Sequence, residues 1–145
     1  MKSVAQLLKT KGYVVQSIAP TASVLECLKL FAEKGIGAAL VMEGEKMVGI
    51  FTERDYARKV ALHGKSSKDL KVHEVMSTDV LWVGPERTNA ECMALMTEKR
   101  IRHLPVMEGG KVIGIISIGD LVKDIIAEQQ FLIDQMEHYI HGDRA

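Results

Sequence analysis

GIFTERD, at residues 49–55, and GIISIGD, at residues 114–120, are two copies of one phrase, and they decide the fold. Each copy starts with a glycine, passes through two apolar residues to a hydroxyl residue, and ends three residues later with an aspartate. When the sequence is shifted by 65 positions, residues 15–60 align with residues 80–125 without a gap, and 16 of the 46 pairs are identical. That degree of self-similarity predicts an internal duplication.

Each copy is predicted to fold as a β-α-β-β-α unit of about 50 residues. After a short first strand, a hydroxyl residue followed three places later by glutamate has the spacing of a capping box, which predicts the start of a helix. Two almost wholly apolar strands then enclose a hairpin turn, and a second helix starts at the hydroxyl residue of the repeated phrase. The predicted elements are first strands Val14–Ser17 and Val80–Val83, helices starting at Ser23 and Thr88, strands Ala38–Met42 and Met47–Phe51 with turns at 43–46 and 108–111, and second helices starting near Thr52 and Ser117.

The predicted fold class is α/β, in its α+β form, with the two tandem repeats packed sheet to sheet about a pseudo-two-fold axis. A single copy would bury too little surface to be stable alone, and nearly continuous apolar strands predict sheets that are covered on both faces. The predicted domains are a first repeat with its N-terminal helix at residues 1–70, a second repeat at 71–128, and a C-terminal helical extension at 129–145.

Two terminal helices are predicted outside the repeats. Ser3–Lys9 has the pattern of a short amphipathic helix, and Leu121–Ile140 keeps a helical apolar pattern for longer than one repeat needs. We expect the apolar excess, which includes Phe131 and Tyr139, to pack on a second chain or on the first copy.

The composition narrows the possible functions. The 145 residues suit one compact domain, and 19 basic against 19 acidic residues give no net attraction to nucleic acid or to an anionic membrane. No apolar run reaches the ~18 residues of a membrane span, and no secretory segment begins the sequence, so we expect a cytoplasmic protein. Cys27 and Cys92 lie in apolar helical patterns, which favours buried, reduced cysteines over a disulfide or a metal site.

The candidate motifs for catalysis or metal binding are each incomplete. GIGAAL at 35–40 lacks the third glycine of a dinucleotide-binding turn, and HEVMS at 73–77 lacks the second histidine of a zinc protease. His138 and His141 share a helix face but have no third ligand in view. We therefore predict no catalytic residue, no metal site and no enzymatic activity.

The repeated phrase has a plain reading and a functional one. Thr52 with Asp55, and Ser117 with Asp120, fit the capping-box spacing, which by itself only starts a helix. The functional reading notes that a carboxylate can accept both hydroxyl hydrogens of a ribose, and that free N–H groups at a helix N-terminus attract phosphate. In addition, a glycine inside a strand often marks the close approach of another backbone or of a ligand.

The duplicated unit ending in this phrase resembles the cystathionine-β-synthase (CBS) domain, and two in tandem resemble a Bateman module. The resemblance covers about residues 1–128. Members of this family form intramolecular pairs, usually assemble into dimers, and bind adenosine-containing ligands in clefts between the copies. They generally sense and regulate without doing chemistry.

This resemblance implies two clefts, each with ribose and phosphate contacts from one copy and adenine contacts from the other. One would use Asp120 for the ribose, Ser117 with Arg102 and His103 for phosphate, and Tyr13, Gln16, Ile36 and Gly37 around adenine. The other would use Asp55 for the ribose, Thr52 and Arg54 for phosphate, and Leu81, Ile101 and Met76 around adenine.

The two implied clefts are unequal. Arg102 corresponds to Gly37 in the first copy, so the second cleft depends for phosphate charge on Arg54, whose own counterpart is the neutral Gly119. Each contact also has a plainer alternative: a surface ion pair for Arg54, a solvated edge for Arg102, a buried satisfied imidazole for His103, and core covering for Tyr13.

The sequence therefore favours a regulatory module that binds an adenine nucleotide: AMP, ADP or ATP, with NAD as a further possibility. The expected partners are a second copy of the chain and an effector protein whose identity the sequence does not give. The alternative is a structural interaction subunit that docks on an enzyme or transporter through its C-terminal helix.

Overall fold

The structure is a computed structural model that describes residues 2–141. Its elements follow the predicted order closely. They are α1 (Val4–Lys11), β1 (Ser17–Ile18), α2 (Val24–Lys34), β2 (Ala38–Glu43), β3 (Lys46–Thr52), α3 (Glu53–Asp55, continued by the π-helical segment Tyr56–Ala61), α4 (Val72–Val75), α5 (Asn89–Lys99), β4 (His103–Glu108), β5 (Lys111–Ser117) and α6 (Ile118–Ile140).

The helix starts predicted from hydroxyl residues are confirmed. The Ser23 side chain accepts a hydrogen bond from the Glu26 N–H at 3.1 Å, and Thr88 forms a full capping box with Glu91. The hydroxyl residues and aspartates of the repeated phrase form capping boxes at the starts of α3 and α6. The plain reading of the phrase is therefore correct in both copies.

Both predicted hairpins form, but the first strands differ from the prediction. In the first copy, β1 pairs parallel with β2, and β2 pairs antiparallel with β3. The prediction Val14–Ser17 starts too early, because β1 is Ser17–Ile18 and the Val14 side chain is 75% exposed.

In the second copy, the predicted first strand Val80–Val83 is wrong. The segment makes one parallel bridge, through Val83. At the matching place in the first copy, the Leu40 N–H donates to the Gln16 carbonyl at 3.1 Å. The counterpart of Leu40 is Pro105, which has no N–H to donate, so the ladder cannot extend.

Helices α1 and α4 each complete the core of one repeat. The Val4 N–H donates to the Arg87 carbonyl at 2.7 Å, and the Val72 N–H donates to the Ala22 carbonyl at 2.8 Å. The two acceptors are matched positions of the repeat, so α1 and α4 are pseudo-symmetric partners. The sequence analysis grouped the N-terminal helix with the first repeat, whereas α1 packs on the second repeat and α4 packs on the first.

Two apolar clusters form these cores. In the first repeat, the rings of Phe31 and Phe51 stack at 6.2 Å between centroids. The first core consists of Val24, Cys27, Phe31, Ala39, Val41, Phe51, Val60, Val72 and Val75. The second consists of Val4, Leu7, Leu8, Val83, Cys92, Met96, Leu104, Val106, Ile116 and Leu121.

A third cluster lies between the two repeats. Leu40 and Ile50 of the first sheet pack with Val112 and Ile115 of the second. Ile50 and Ile115 are matched positions, as pseudo-two-fold symmetry requires. The predicted sheet-to-sheet packing is confirmed.

Both cysteines are buried and free, as the sequence predicts. Burial raises the pKa of Cys27 to about 12 and that of Cys92 to about 11. Both side chains therefore remain thiols near neutral pH, where they are poor nucleophiles.

Helix α6 starts inside the molecule and then leaves it. Leu121 and Asp124 are buried, and Asp124 accepts a hydrogen bond from Asn89 at 2.9 Å and lies 3.3 Å from the Lys2 amino group. Every residue from 126 to 141 is exposed, so this part of the helix does not pack on the first copy. None of the helices in residues 2–141 is long and apolar enough to cross a membrane.

Candidate functional site

The start of α6 gathers charged groups around Asp120. Its Oδ2 accepts hydrogen bonds from the Ser117 N–H at 2.8 Å and from the Lys11 amino group at 2.7 Å. Burial acts to raise the pKa of Asp120, but the bonds from Lys11 and Ser117 outweigh it and hold that pKa below its usual range. The carboxylate is therefore ionised at neutral pH, and both of these bonds go to its Oδ2.

His103 belongs to the same cluster, because it is paired with Ser117 across strands β4 and β5. Burial lowers the pKa of His103, and the positive charge of Lys11 acts in the same direction, while Asp120 partly opposes them. Three of the predicted residues, His103, Ser117 and Asp120, thus lie together. Lys11 was not predicted, because it lies outside the repeat alignment and has no matched position in the other copy.

Two of the residues predicted to contact adenine, Tyr13 and Gln16, differ in exposure. Tyr13 follows Lys11 by two residues and is 57% exposed, so its ring is available to a ligand. Gln16 is half-buried, and its carbonyl pairs with β2.

The matching aspartate of the first copy, Asp55, is more fully occupied. Its Oδ2 accepts bonds from the Thr52 N–H at 3.0 Å and from the Thr52 hydroxyl at 3.2 Å. Its Oδ1 accepts a bond from the Ser77 hydroxyl at 3.0 Å and lies 3.3 Å from the Lys59 amino group. Sequence reasoning missed Ser77 and Lys59, although Lys59 stands four residues after Asp55, which is the spacing of a helical ion pair.

The three residues predicted to contact adenine near Asp55 lie in different environments. Met76 precedes Ser77 and is half-buried against β3, so it lies beside the Asp55 cluster. Leu81 is 39% exposed at the surface. Ile101 lines a pocket at the start of α6.

That pocket has a volume of about 280 Å³ and is rich in arginine. Arg54 from the first copy donates a hydrogen bond to the Arg100 carbonyl of the second. The lining contains no acidic side chain and consists of Arg54, Met96, Thr97, Arg100, Ile101, Arg102 and Ile118. The sequence analysis assigned Arg54 and Arg102 to different clefts, whereas both line this one.

A second pocket, of about 450 Å³, lies at the matched place in the first copy. Its lining is Leu28, Phe31, Ala32, Gly35, Ile36, Gly37 and Glu53. Gly35, Gly37 and Glu53 stand where the first pocket has Arg100, Arg102 and Ile118. The predicted residues Ile36 and Gly37 therefore line a pocket with no cation and one carboxylate, whereas its pseudo-symmetric counterpart has three cations and no carboxylate.

Arg100 is a residue that sequence reasoning missed. It caps α5 in the left-handed conformation, with φ of 55°, where Gly35 caps α2 at φ of 64°. An arginine in place of a glycine is unfavourable there. That exchange is visible in the repeat alignment and could have identified the position.

The strand glycines of the repeated phrase have a structural explanation. A Cβ at Gly49 would lie 2.6 Å from the Met76 sulfur and 2.8 Å from the Ser77 carbonyl oxygen, and a Cβ at Gly114 would lie 2.7 Å from Leu8. The close approach expected from sequence is made by α1 and by the end of α4. These glycines therefore give no evidence for a ligand.

The arrangement is suited to binding, and no metal-binding group accompanies it. Residues 2–141 contain no group of three or more His, Cys, Asp or Glu side chains that could hold a metal ion. Arginines pair with phosphate oxygens, and an ionised carboxylate accepts from hydroxyl groups. The combined chemistry suits an anion that also carries hydroxyls.

Comparisons with known proteins agree with the fold. A solved structure of a protein with CBS domains from Burkholderia ambifaria is 53% identical, with a TM-score of 0.85 over 88% of this chain and 96% of that chain. The CBS domain pair of protein MJ0100, solved with 5′-methylthioadenosine and S-adenosyl-L-methionine, has a TM-score of 0.77 over 88% of this chain and 98% of that chain. At 20% identity, that likeness shows the fold alone.

Sequence relatives give the same answer. CBS domain-containing protein CBSX3, mitochondrial, from Arabidopsis thaliana is 37% identical over 125 residues, which are 83% of this chain and 61% of the relative. This chain thus spans about three fifths of that relative's length. The CBS domain family model matches residues 5–62 and 72–127, one match in each structural repeat. This chain belongs to the CBS domain family.

Proposed function

We propose that this chain is a non-catalytic, cytoplasmic regulatory module that binds an adenine nucleotide and acts as a homodimer. The ligand is AMP, ADP or ATP, with NAD as an alternative of the same chemistry. The observation that supports this most is the pocket lined by Arg54, Arg100 and Arg102, because it joins cations from both repeats with no acidic side chain beside them.

The charge of this pocket favours a phosphate-bearing ligand. Three arginines line this pocket of about 280 Å³, and a charge-assisted hydrogen bond from one guanidinium to an anion is worth roughly 1.5–3 kcal/mol. Ile118, the first residue of α6, also lines the pocket. Its N–H already donates to the Arg102 carbonyl, so the helix start contributes the positive end of its dipole rather than free donors.

The Asp120 cluster, at the start of the same helix, favours a ribose. Ser117 caps that helix, and the ionised Asp120 carboxylate accepts bonds from Ser117 and Lys11 through its Oδ2. A ribose diol can donate to such a carboxylate. The CBS domain pair of MJ0100 shows that this fold can accommodate adenosine-containing ligands.

The matched first-copy cleft is the weaker candidate. Both oxygens of Asp55 are already used by Thr52, Ser77 and Lys59, and the matched pocket presents Glu53 and no cation. We therefore propose one phosphate-binding cleft in each chain.

Lys11 supplies a route from binding to signalling. Its amino group occupies Asp120 and also donates to the Ile115 carbonyl, so a ribose at Asp120 must share or displace it. Lys11 is the last residue of α1, and a displaced Lys11 would loosen the end of that helix. A ligand shifts such an equilibrium only by the difference in its affinity for the two states.

Titration calorimetry with AMP, ATP and NAD tests the proposal. Arg102→Ala should weaken binding roughly ten- to hundredfold, because it removes one charged hydrogen-bond donor. Lys111→Ala removes the same charge from the hairpin turn of the same repeat and should leave affinity unchanged. If no nucleotide gives heat or a thermal shift at millimolar concentration, or if both variants bind like the parent chain, the proposal fails.

A further inference from the structure

We propose that the projecting part of α6, residues 126–140, pairs with the same segment of a second copy of this chain as a two-helix coiled coil. The inference does not depend on nucleotide binding. It starts from the observation that α6 continues for four turns beyond its last contact with the core, with every side chain exposed.

A free helix of this length needs a partner. Most helical stability in proteins comes from packing an apolar face, and the projecting segment lacks that contribution while its apolar face stays in solvent. The projecting segment leaves large apolar side chains in solvent, with Ile126 60% exposed, Met136 64% and Tyr139 87%. Such a continuous apolar surface marks an interaction site.

The spacing of these residues fits pairing between helices. Val122, Ile126, Gln129, Ile133, Met136 and Ile140 follow one another at alternating intervals of four and three residues. That is the heptad repeat of a coiled coil, and the three isoleucines take the position at which β-branched residues favour two strands. Leu132 and Tyr139 flank the stripe on one side, whereas Phe131 lies away from it and nothing in the structure explains its exposure.

The composition of the stripe favours a second copy over other occupants. The apolar residues of the stripe, with Leu132 and Tyr139, are 42–87% exposed, and the same stripe on a second copy offers them an equal apolar surface, as an interface between identical patches requires. Residues 124–141 contain four acidic residues and no Lys or Arg, which disfavours a membrane surface, where basic residues flank the apolar face.

Gln129 lies at the centre of the stripe and limits the register. A glutamine amide buried against an apolar partner would lose its hydrogen bonds, at a cost of about 1–3 kcal/mol. In a parallel pair, whose two-fold axis runs along the coil, the two Gln129 side chains lie at the same level and satisfy each other, because one amide donates to the carbonyl of the other. Pairing therefore brings Gln129 of the two chains together.

A cross-linking experiment tests this register. Gln129→Cys should give a disulfide-linked dimer under mild oxidation, whereas Ala127→Cys, on the opposite face of the helix, should not. The native Cys27 and Cys92 are buried thiols and will not interfere. Equal cross-linking at both positions, or none at Gln129→Cys, would overturn the proposal.

Sedimentation equilibrium tests the interface without a cross-link. The parent chain should be a dimer, and Ile133→Glu should weaken dimerisation on the order of 100-fold, because it buries an unpaired carboxylate. Gln135→Glu adds the same charge two residues away, off the stripe, and should leave the dimer intact. A monomeric parent chain, including one that instead binds another protein or vesicles of phosphatidylserine and phosphatidylcholine, would refute the pairing.

Discussion

At the scale of single residues, the two strand glycines differ in what an added methyl group would meet. At Gly114 the obstacle is the end of the Leu8 side chain, which can rotate away. At Gly49 it is the Ser77 carbonyl oxygen, whose position is fixed by two backbone hydrogen bonds to Ile50 at 2.9 Å. Gly49→Ala should therefore cost about 1–3 kcal/mol, and Gly114→Ala should cost less.

Urea denaturation of the two variants measures this difference in the free energy of unfolding. Gly109→Ala in the second hairpin turn is a useful reference, because Gly109 has a φ of 59° and open space around it. The loss of unfolding free energy in Gly109→Ala measures backbone strain alone, because no neighbouring atom crowds the added methyl group. Equal destabilisation by Gly49→Ala and Gly114→Ala would show that the Ser77 backbone yields as easily as a leucine side chain.

The burial of His103 predicts how stability depends on pH. Its pKa is lowered in the folded chain, so the unfolded chain binds a proton more readily. The stability that depends on neutral His103 is complete above the unfolded pKa of about 6.5 and is lost as the pH falls below it. The melting temperature should fall between pH 7 and pH 5, and His103→Gln should flatten that slope.

Two controls isolate the His103 effect. His63→Gln replaces an exposed histidine and should leave the slope unchanged. Asp120 also has a lowered pKa, but the stability linked to it is present above its unfolded pKa of about 3.9 and is lost as the pH falls from there through its folded pKa, below this window. An unaltered slope in His103→Gln would contradict the assignment.

At the scale of elements, local chemistry made some parts of the fold predictable. The capping boxes and hairpin turns depend on residues within four positions of one another, so the sequence sufficed. The prediction of a strand at Val80–Val83 was wrong because its partner, Pro105, lies about two dozen residues away and has no backbone N–H to donate. The packing of α1 on the second repeat depends on contacts across most of the chain, which no local pattern contains.

The packing of α1 in the second core predicts that a mutation in α1 weakens the second repeat no less than the first. Leu8→Ala should destabilise the chain by about 2–5 kcal/mol, because Leu8 is fully buried in the second core. Hydrogen exchange should quicken in β4 and β5 at least as much as in β2 and β3. Leu62→Ala makes the same change on a side chain that is 80% exposed and should have little effect.

At the scale of the whole molecule, the candidate site was predictable as a set of residues but not as an arrangement. The repeated phrase and the family resemblance predicted Asp120, Ser117, His103, Arg54 and Arg102. It could not show that the two arginines share one pocket, because that depends on how the repeats face each other. The opposite charges of the two pockets become visible only when both linings are known.

The interlocked order of the elements predicts that the two repeats unfold together. The chain enters through α1, which belongs to the second core, and reaches the second repeat through α4, which belongs to the first. Neither core is complete without a segment attached to the other, and Leu40, Ile50 and Ile115 join the sheets between them. If one repeat unfolded separately, it would expose two apolar surfaces at once: the one that packs against the exchanged helix and the one that packs against the other sheet.

Phe51→Ala in the first core tests this cooperativity. Removing the buried ring should cost about 3–5 kcal/mol and lower the melting temperature by roughly 10 °C. Calorimetry should still show one transition, with equal calorimetric and van't Hoff enthalpies, and hydrogen exchange should quicken in β4 and β5 as well as in β2 and β3. Two resolved transitions, with protection retained in the second repeat, would mean that each repeat is held by its own contacts and that the exchanged helices do not couple them.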